Sequence, residues 1–204
     1  MTDPGPAATH RLFIAIALPP VVQEEIILVQ RELQPLVPRE VVRWTRPDQF
    51  HLTLRFLGNF PVHEVEGLKR AVGDICRNAS PLGLQARGVG FFPHARSPRV
   101  VWVGVDDSER RLLGLQKQIE TAVSPLSSEP GEKNFAGHVT LGRLKNPRPS
   151  DVRDLVVRVQ ALESRAFGNW MASEVEIIRS ELCPAGARYT SLAACRLAAS
   201  RSAR

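Results

Sequence analysis

The chain lacks most of the features that mark special cases. Its three cysteines, Cys76, Cys183 and Cys195, are unevenly spaced and form no C-x-x-C pair. That excludes a disulfide framework and fits reduced thiols in a cytoplasmic protein. No apolar run reaches the length of a membrane span. The short apolar stretch in HRLFIAIALPP imitates a secretory leader. Pro19-Pro20 and an amphipathic, Glu-containing segment follow it at once, so it reads as a core strand running into a helix. A Gly-rich phosphate loop is missing too, which argues against a doubly wound nucleotide fold. Histidines are few: His10, His51, His63, His94 and His138.

Positive charge is plentiful. The net charge is +6, and most of the cationic side chains are arginine. Arginine suits planar, bidentate contacts with phosphate, so the balance favours anionic partners. At 204 residues and 43% hydrophobic, the chain is long enough for one domain or two small lobes with a real core.

Periodicity predicts strands over 11–18, 50–57, 82–91, 99–105, 173–182 and 188–197, with one more beginning at 138. Helices are predicted from VVQEEIILVQREL, VHEVEGLKRAVGDICRNA, SERRLLGLQKQIETAV and, more weakly because of its valines, PSDVRDLVVRVQAL. The order alternates strands and helices without a parallel-sheet pattern, which points to an α+β fold. We take 10–198 as one bilobal domain, with 1–9 and 199–204 as flexible tails.

Two of the five histidines open an H-x-T-L tetrapeptide, His51-Leu-Thr-Leu54 and His138-Val-Thr-Leu141. Chance supplies roughly 0.02 such matches in this composition, so a pair is on the order of 10⁻⁴ and carries information. The copies lie 138 − 51 = 87 residues apart, and each is followed by a helix, as an internal duplication would give. On a strand, alternate residues share a face. Leu52, Leu54 and Phe56 are thereby assigned to the core, and His51, Thr53 and Arg55 to the outer face. In the second copy Val139 and Leu141 turn inward, while His138 and Thr140 turn outward. Two imidazoles and two hydroxyls around one cleft suit phosphodiester cleavage. One neutral histidine removes a proton from the attacking oxygen, and one protonated histidine supplies a proton to the leaving oxygen. The threonines donate to non-bridging oxygens. No Asp, Glu or Cys stands in phase beside either histidine, so no metal site and no cofactor are expected.

Paired H-x-T-L strands in a chain of this length resemble the 2H phosphoesterases. Within them the likeness is to the bacterial and archaeal RNA 2′,3′-cyclic phosphodiesterases, historically called 2′-5′ RNA ligases. RLFIAIALP, FHLTLRFLGN, PRVVWVGV, HVTLGR and SELCPAGARYTSL carry it, over about residues 10–197. The resemblance implies two similar lobes of mostly antiparallel sheet plus helices around a central basic cleft. It implies metal-independent hydrolysis of an RNA-terminal 2′,3′-cyclic phosphate to a 2′-phosphate, with weak reversible 2′-5′ ligation. His51 would be the general acid and His138 the general base, with Thr53 and Thr140 holding the phosphate. Arg143 would join them, although strict alternation puts it on the wrong face, so a bulge or bend at Gly142 is required.

Arg55, Phe13 and Arg99 are further candidate RNA contacts. Phe13 is offered for base stacking, and Arg99 lies in the loop FFPHARSPR with His94 and Arg96. Trp44 and Trp102 are read as core or lobe-interface residues, and Tyr189 is given no catalytic role. Two rival readings keep other substrates or none: small cyclic nucleotides or 2′-5′-linked oligonucleotides, or an RNA-binding module with a vestigial site. A cleft contained within one chain has no need of a partner subunit, so a cytoplasmic monomer acting on RNA ends, away from membranes, is expected.

Overall fold

A computed structural model describes residues 8–131, 134–183 and 186–198. The tails assigned to 1–9 and 199–204 lie outside these, except that Ala8 and Thr9 are described and Thr9 begins the first strand. The strands are β1 (Thr9–Ala17), β2 (Val42–Trp44), β3 (His51–Pro61), β4 (Leu82–Phe92), β5 (Val100–Asp106), β6 (His138–Leu144), β7 (Ala166–Ala172), β8 (Glu174–Cys183) and β9 (Gly186–Arg196). The helices are α1 (Pro20–Leu33), α2 (Val65–Arg77), α3 (Arg111–Val123) and α4 (Arg153–Ala161). Two strands were not anticipated. β2 is only three residues long, and β7 (AFGNWMA) has a glycine and a short, mixed pattern that period-2 reading passes over.

Every strand pairing is antiparallel, in two sheets of order β3-β1-β8-β9 and β2-β6-β5-β4-β7. Neither sheet comes from one half of the chain: β1 and β3 share a sheet with the late strands β8 and β9, and β2 and β4 join β5, β6 and β7. The lobes are therefore two and similar, but interleaved. β1 lies inside its sheet, and Leu12 to Ile16 are buried without alternation because both faces are covered: Leu12, Ile14 and Ile16 join the core, while Phe13 lies against His51 and Tyr189.

Helices cover the outer sheet faces. α1 starts with Pro20 at its first turn, where a missing N–H costs nothing, and buries Val22, Ile26, Val29, Gln30 and Leu33. α3 buries the matching set Leu112, Leu115, Gln116, Ile119 and Val123. The spacing 116 − 30 = 86 nearly equals that of the two H-x-T-L copies, so the helices repeat with the strands. α3 packs on β3 and α2, while α1 packs on β7 and α4 on β4. The uncovered faces look toward one another where β3 meets β6. Among the described residues no helix is long and apolar enough to cross a membrane.

Candidate active site

Each H-x-T-L strand opens as alternation requires. Leu52 and Val139 are fully buried, while His51, Thr53, His138 and Thr140 are partly exposed. Both strands then break phase at the same place. The register between β1 and β3 slips past Leu54, and that between β5 and β6 slips past Leu141. A bulge sets two successive residues inward and returns the next one to the outer face. Leu54 and Arg55 are both buried and Phe56 emerges; Leu141 and Gly142 are both buried and Arg143 emerges.

The bulge corrects two assignments. Phe56 is not core: it is 36% exposed and lines the cleft, with the Arg11 guanidinium 4.8 Å from its ring centre. Arg55 does not face the cleft. It is 4% exposed, with Nε 3.1 Å from Glu120, close enough for an ion pair but not aligned as a hydrogen bond. Its Nη atoms donate to the carbonyls of Glu129 and Pro130 at 2.6 and 2.7 Å. Strict alternation failed because it took no account of the inserted residue. Gly142 occupies the equivalent place in the second copy. There a Cβ would come within 2.7 Å of Val42 and 3.0 Å of Trp44, so β2 can lie flush against the bulge.

A buried glutamine attends each bulge. Gln30 Nε2 donates to the carbonyls of Leu141 (2.9 Å) and Thr45 (2.7 Å), and the Thr45 N–H also donates to Leu141 (2.8 Å). Gln116 Nε2 reaches the carbonyl of Leu54 at a longer 3.5 Å. Gln30, Gln116 and Arg55 are the buried polar side chains among the described residues, and all three serve these two irregular strands.

The histidines are held alike. The His51 Nδ1 lies 2.7 Å from the Gln49 carbonyl, and the His138 Nδ1 lies 2.8 Å from the Ala136 carbonyl. A carbonyl can only accept, so in each ring Nδ1 carries a hydrogen and Nε2 is left to take or give a proton. His51 stacks on Phe13 with ring centres 4.7 Å apart, and meets the edge of Tyr189 at 5.5 Å. Burial lowers its pKa below the usual histidine value; the Gln49 carbonyl opposes that, and the nearby His138 adds to it. His138 meets the edge of Phe92 at 4.9 Å.

The cleft between the sheets holds a cavity of about 270 Å³. His51, Thr53, Thr140 and Arg143 line it together. Arg43, Arg11, Trp44 and Tyr189 were not read as site residues from sequence, yet they line it too. Tyr189, the chain's single tyrosine, sits on β9 opposite Ser180. Phe13 reaches the cavity but is 4% exposed, with its ring spent on His51 and Tyr189. It supports the histidine and offers no free face to a base. Arg99 is exposed beside a separate cavity of about 130 Å³ with Arg96 and Asn146, away from the His51 cleft. Trp44 packs against the core and lines the cleft between the sheets, in keeping with a core or lobe-interface residue, and Trp102 lines a second cavity. Among the described residues, no group of three or more His, Cys, Asp or Glu side chains comes together as a metal ion needs.

A family model, "LigT like Phosphoesterase", matches the chain twice, over residues 16–102 and 103–189. The chain is 32% identical to the RNA 2′,3′-cyclic phosphodiesterase of Methanothermobacter thermautotrophicus over 188 residues, covering 92% of this chain and 98% of that one. The crystal structure of TT0787 of Thermus thermophilus superposes with a TM-score of 0.76 at 30% identity, over 93% of this chain and 99% of that one. The crystal structure of E. coli LigT complexed with 3′-AMP gives 0.72 at 25% identity, over 93% and 98%.

Proposed function

The chain belongs to the LigT-like phosphoesterase family, and on that premise we propose that it hydrolyses RNA-terminal 2′,3′-cyclic phosphates with a pair of histidines. The observation that carries this reading is the repeated tether: two imidazoles on pseudo-equivalent strands, each fixed at Nδ1 by the carbonyl two residues earlier. That leaves two Nε2 atoms for proton transfer, one on His51 in the cleft and one on His138, two residues before the cleft-lining Thr140 on β6 and near enough to bear on the His51 charge. The relative named RNA 2′,3′-cyclic phosphodiesterase, similar over nearly its whole length, supports the substrate class.

In the proposed reaction His138 Nε2 takes a proton from water, and the oxygen attacks phosphorus. The bond to the 3′ oxygen breaks as His51 Nε2–H protonates it, leaving a 2′-phosphate. Each turnover moves one proton onto His138 and one off His51, and exchange with solvent resets the pair. With the 5′-hydroxyl of a second strand in place of water, the same forward steps would join the strands through a 2′-5′ phosphodiester, and their reversal would cleave it back to the cyclic phosphate. The depressed pKa of His51 makes its protonated form a stronger acid, and a bound phosphodiester anion offsets the burial that disfavours its charge. Thr53 and Thr140 donate to the non-bridging oxygens, and Arg143 and Arg43 balance the anion. Every role is filled by a side chain.

The test is to incubate the protein with an oligoribonucleotide ending in a 2′,3′-cyclic phosphate, in excess EDTA. A 2′-phosphate product is expected. A 3′-phosphate would mean that the 2′ oxygen leaves, reversing the substrate in the cleft. Absence of turnover in EDTA, restored by a divalent metal, would overturn the two-histidine mechanism.

A further inference from the structure

A second, larger cavity of about 580 Å³ lies against β4 and β5, within the size range of about 300–1,000 Å³ typical of ligand pockets. It lies on the same face of the five-stranded sheet. Trp102, which lines it, stands directly opposite Thr140 in the β5–β6 register, and Gly104, which also lines it, stands opposite His138. One cross-strand step, from Thr140 to Trp102, therefore leads from the lining of the first cavity to that of the second. Thr140 faces one, and Gly137, the residue before His138, lines the other.

Its floor is an indole laid on glycine. A Cβ at Gly90, the cross-strand neighbour of Trp102, would fall 2.4 Å from the ring, and one at Gly104 would fall 3.3 Å from it. Only glycine lets the ring lie flat on the sheet there. Phe92 extends the aromatic surface from Trp102 (5.0 Å) to His138 (4.9 Å). The exposed side chains of Asp106, Gln160 and Glu163 form the rim, together with Arg87. Two carboxylates are poor company for a phosphate but good acceptors for amino groups.

We infer that this cavity is a nucleobase subsite, in which the base of the phosphate-bearing nucleotide stacks on Trp102 and presents its amino edge to Asp106 and Glu163. The span is right: one ribose separates phosphate from base, and one interstrand step of about 4.8 Å separates Thr140 from Trp102. Bases with an amino group are then favoured over uracil, with guanine best placed because its adjacent N–H and amino donors match a carboxylate. The inference rests on the cyclic-phosphate reading for its substrate, but it can be tested by binding alone.

The experiment is calorimetric titration with guanosine 2′-monophosphate, uridine 2′-monophosphate and inorganic phosphate. The wild type should bind the guanosine nucleotide more tightly than the uridine one. Trp102→Leu should weaken the guanosine nucleotide roughly 5- to 100-fold, as loss of one stacked base does. Its affinity for inorganic phosphate should be unchanged, and Trp102→Phe should recover most of the loss. Asp106→Asn with Glu163→Gln should level the two nucleotides. A folded Trp102→Leu protein, with wild-type phosphate affinity, that binds both nucleotides as the wild type does would overturn the subsite. If that variant fails to fold, an unaltered preference for the guanosine nucleotide in the Asp106→Asn, Glu163→Gln protein overturns it instead. Failure of the cyclic-phosphate reading would show separately, as wild-type protein that binds these nucleotides but turns over no cyclic end.

Discussion

Arg43 and Arg143 stand directly opposite each other on the antiparallel strands β2 and β6, both exposed in the cleft that holds His51. Neither makes an ion pair with a carboxylate among the described residues. Like charges directly opposite destabilise a sheet, and a bound anion between them removes the penalty. Arg143→Ala and Arg43→Ala should each raise KM with little change in kcat, and each should flatten the dependence of KM on salt. Thermal melts at low salt should show equal or higher stability. A fall in stability without a change in KM would contradict the assignment.

His51 should titrate below the ordinary histidine value of 6.5, because burial and then the charge of His138 disfavour its protonation. The sign for stability follows. The unfolded chain takes up a proton near pH 6.5 that the folded state resists, so this histidine's contribution is full above that pH. It is lost as pH falls through the window beneath it. His51→Gln should remove that share of the acid-side loss in urea melts at pH 7 and pH 5.5. By NMR titration, His138→Ala should move the His51 midpoint upward. A wild-type midpoint at or above 6.5 would contradict this account.

Gln30→Leu should cost about 1–3 kcal/mol, because it leaves the Thr45 carbonyl without its buried donor and the bulge at Leu141 with one fewer. It should also lower activity by letting Arg143 leave the cleft face. Gln116→Leu, whose contact is 3.5 Å, should cost less on both counts. Urea unfolding and steady-state kinetics of the two variants check the order.

Arg55 is a strut, and its replacement should act through stability. Arg55→Met leaves Glu120 unpaired in a mostly buried position and should cost roughly 3 kcal/mol. Adding Glu120→Leu should recover part of that loss. The folded fraction should keep a wild-type salt dependence of KM, whereas a phosphate contact would flatten it.

Much of this site is legible in sequence, because its signal is local and repeated. The paired tetrapeptides fix four side chains and their phase for the first four residues, and the need for a bulge at Gly142 follows from the family resemblance, which sets Arg143 at the phosphate against strict alternation. The same bulge after Leu54 is invisible by the same reasoning. Arg55 there fits a smooth alternation, and its partner Glu120 lies 65 positions (120 − 55) along the chain. Arg43 and Tyr189 were missed because a three-residue strand and a far hairpin bring them in, and neither lies in a motif. Trp102 reads in sequence only as core or lobe interface, as large aromatics usually do. Only the register opposite Gly90 and Thr140 places it beside the cleft.

The central claim is that His51 and His138 act as one proton-transferring unit. Its most direct test is single-turnover hydrolysis of a 2′,3′-cyclic phosphate end in EDTA by His51→Ala, His138→Ala and the double variant. Each single substitution should lower the rate roughly 10²- to 10⁴-fold, and the double should lose far less than the product of the two. A double variant that keeps the wild-type rate would contradict the account, as would losses that multiply in full.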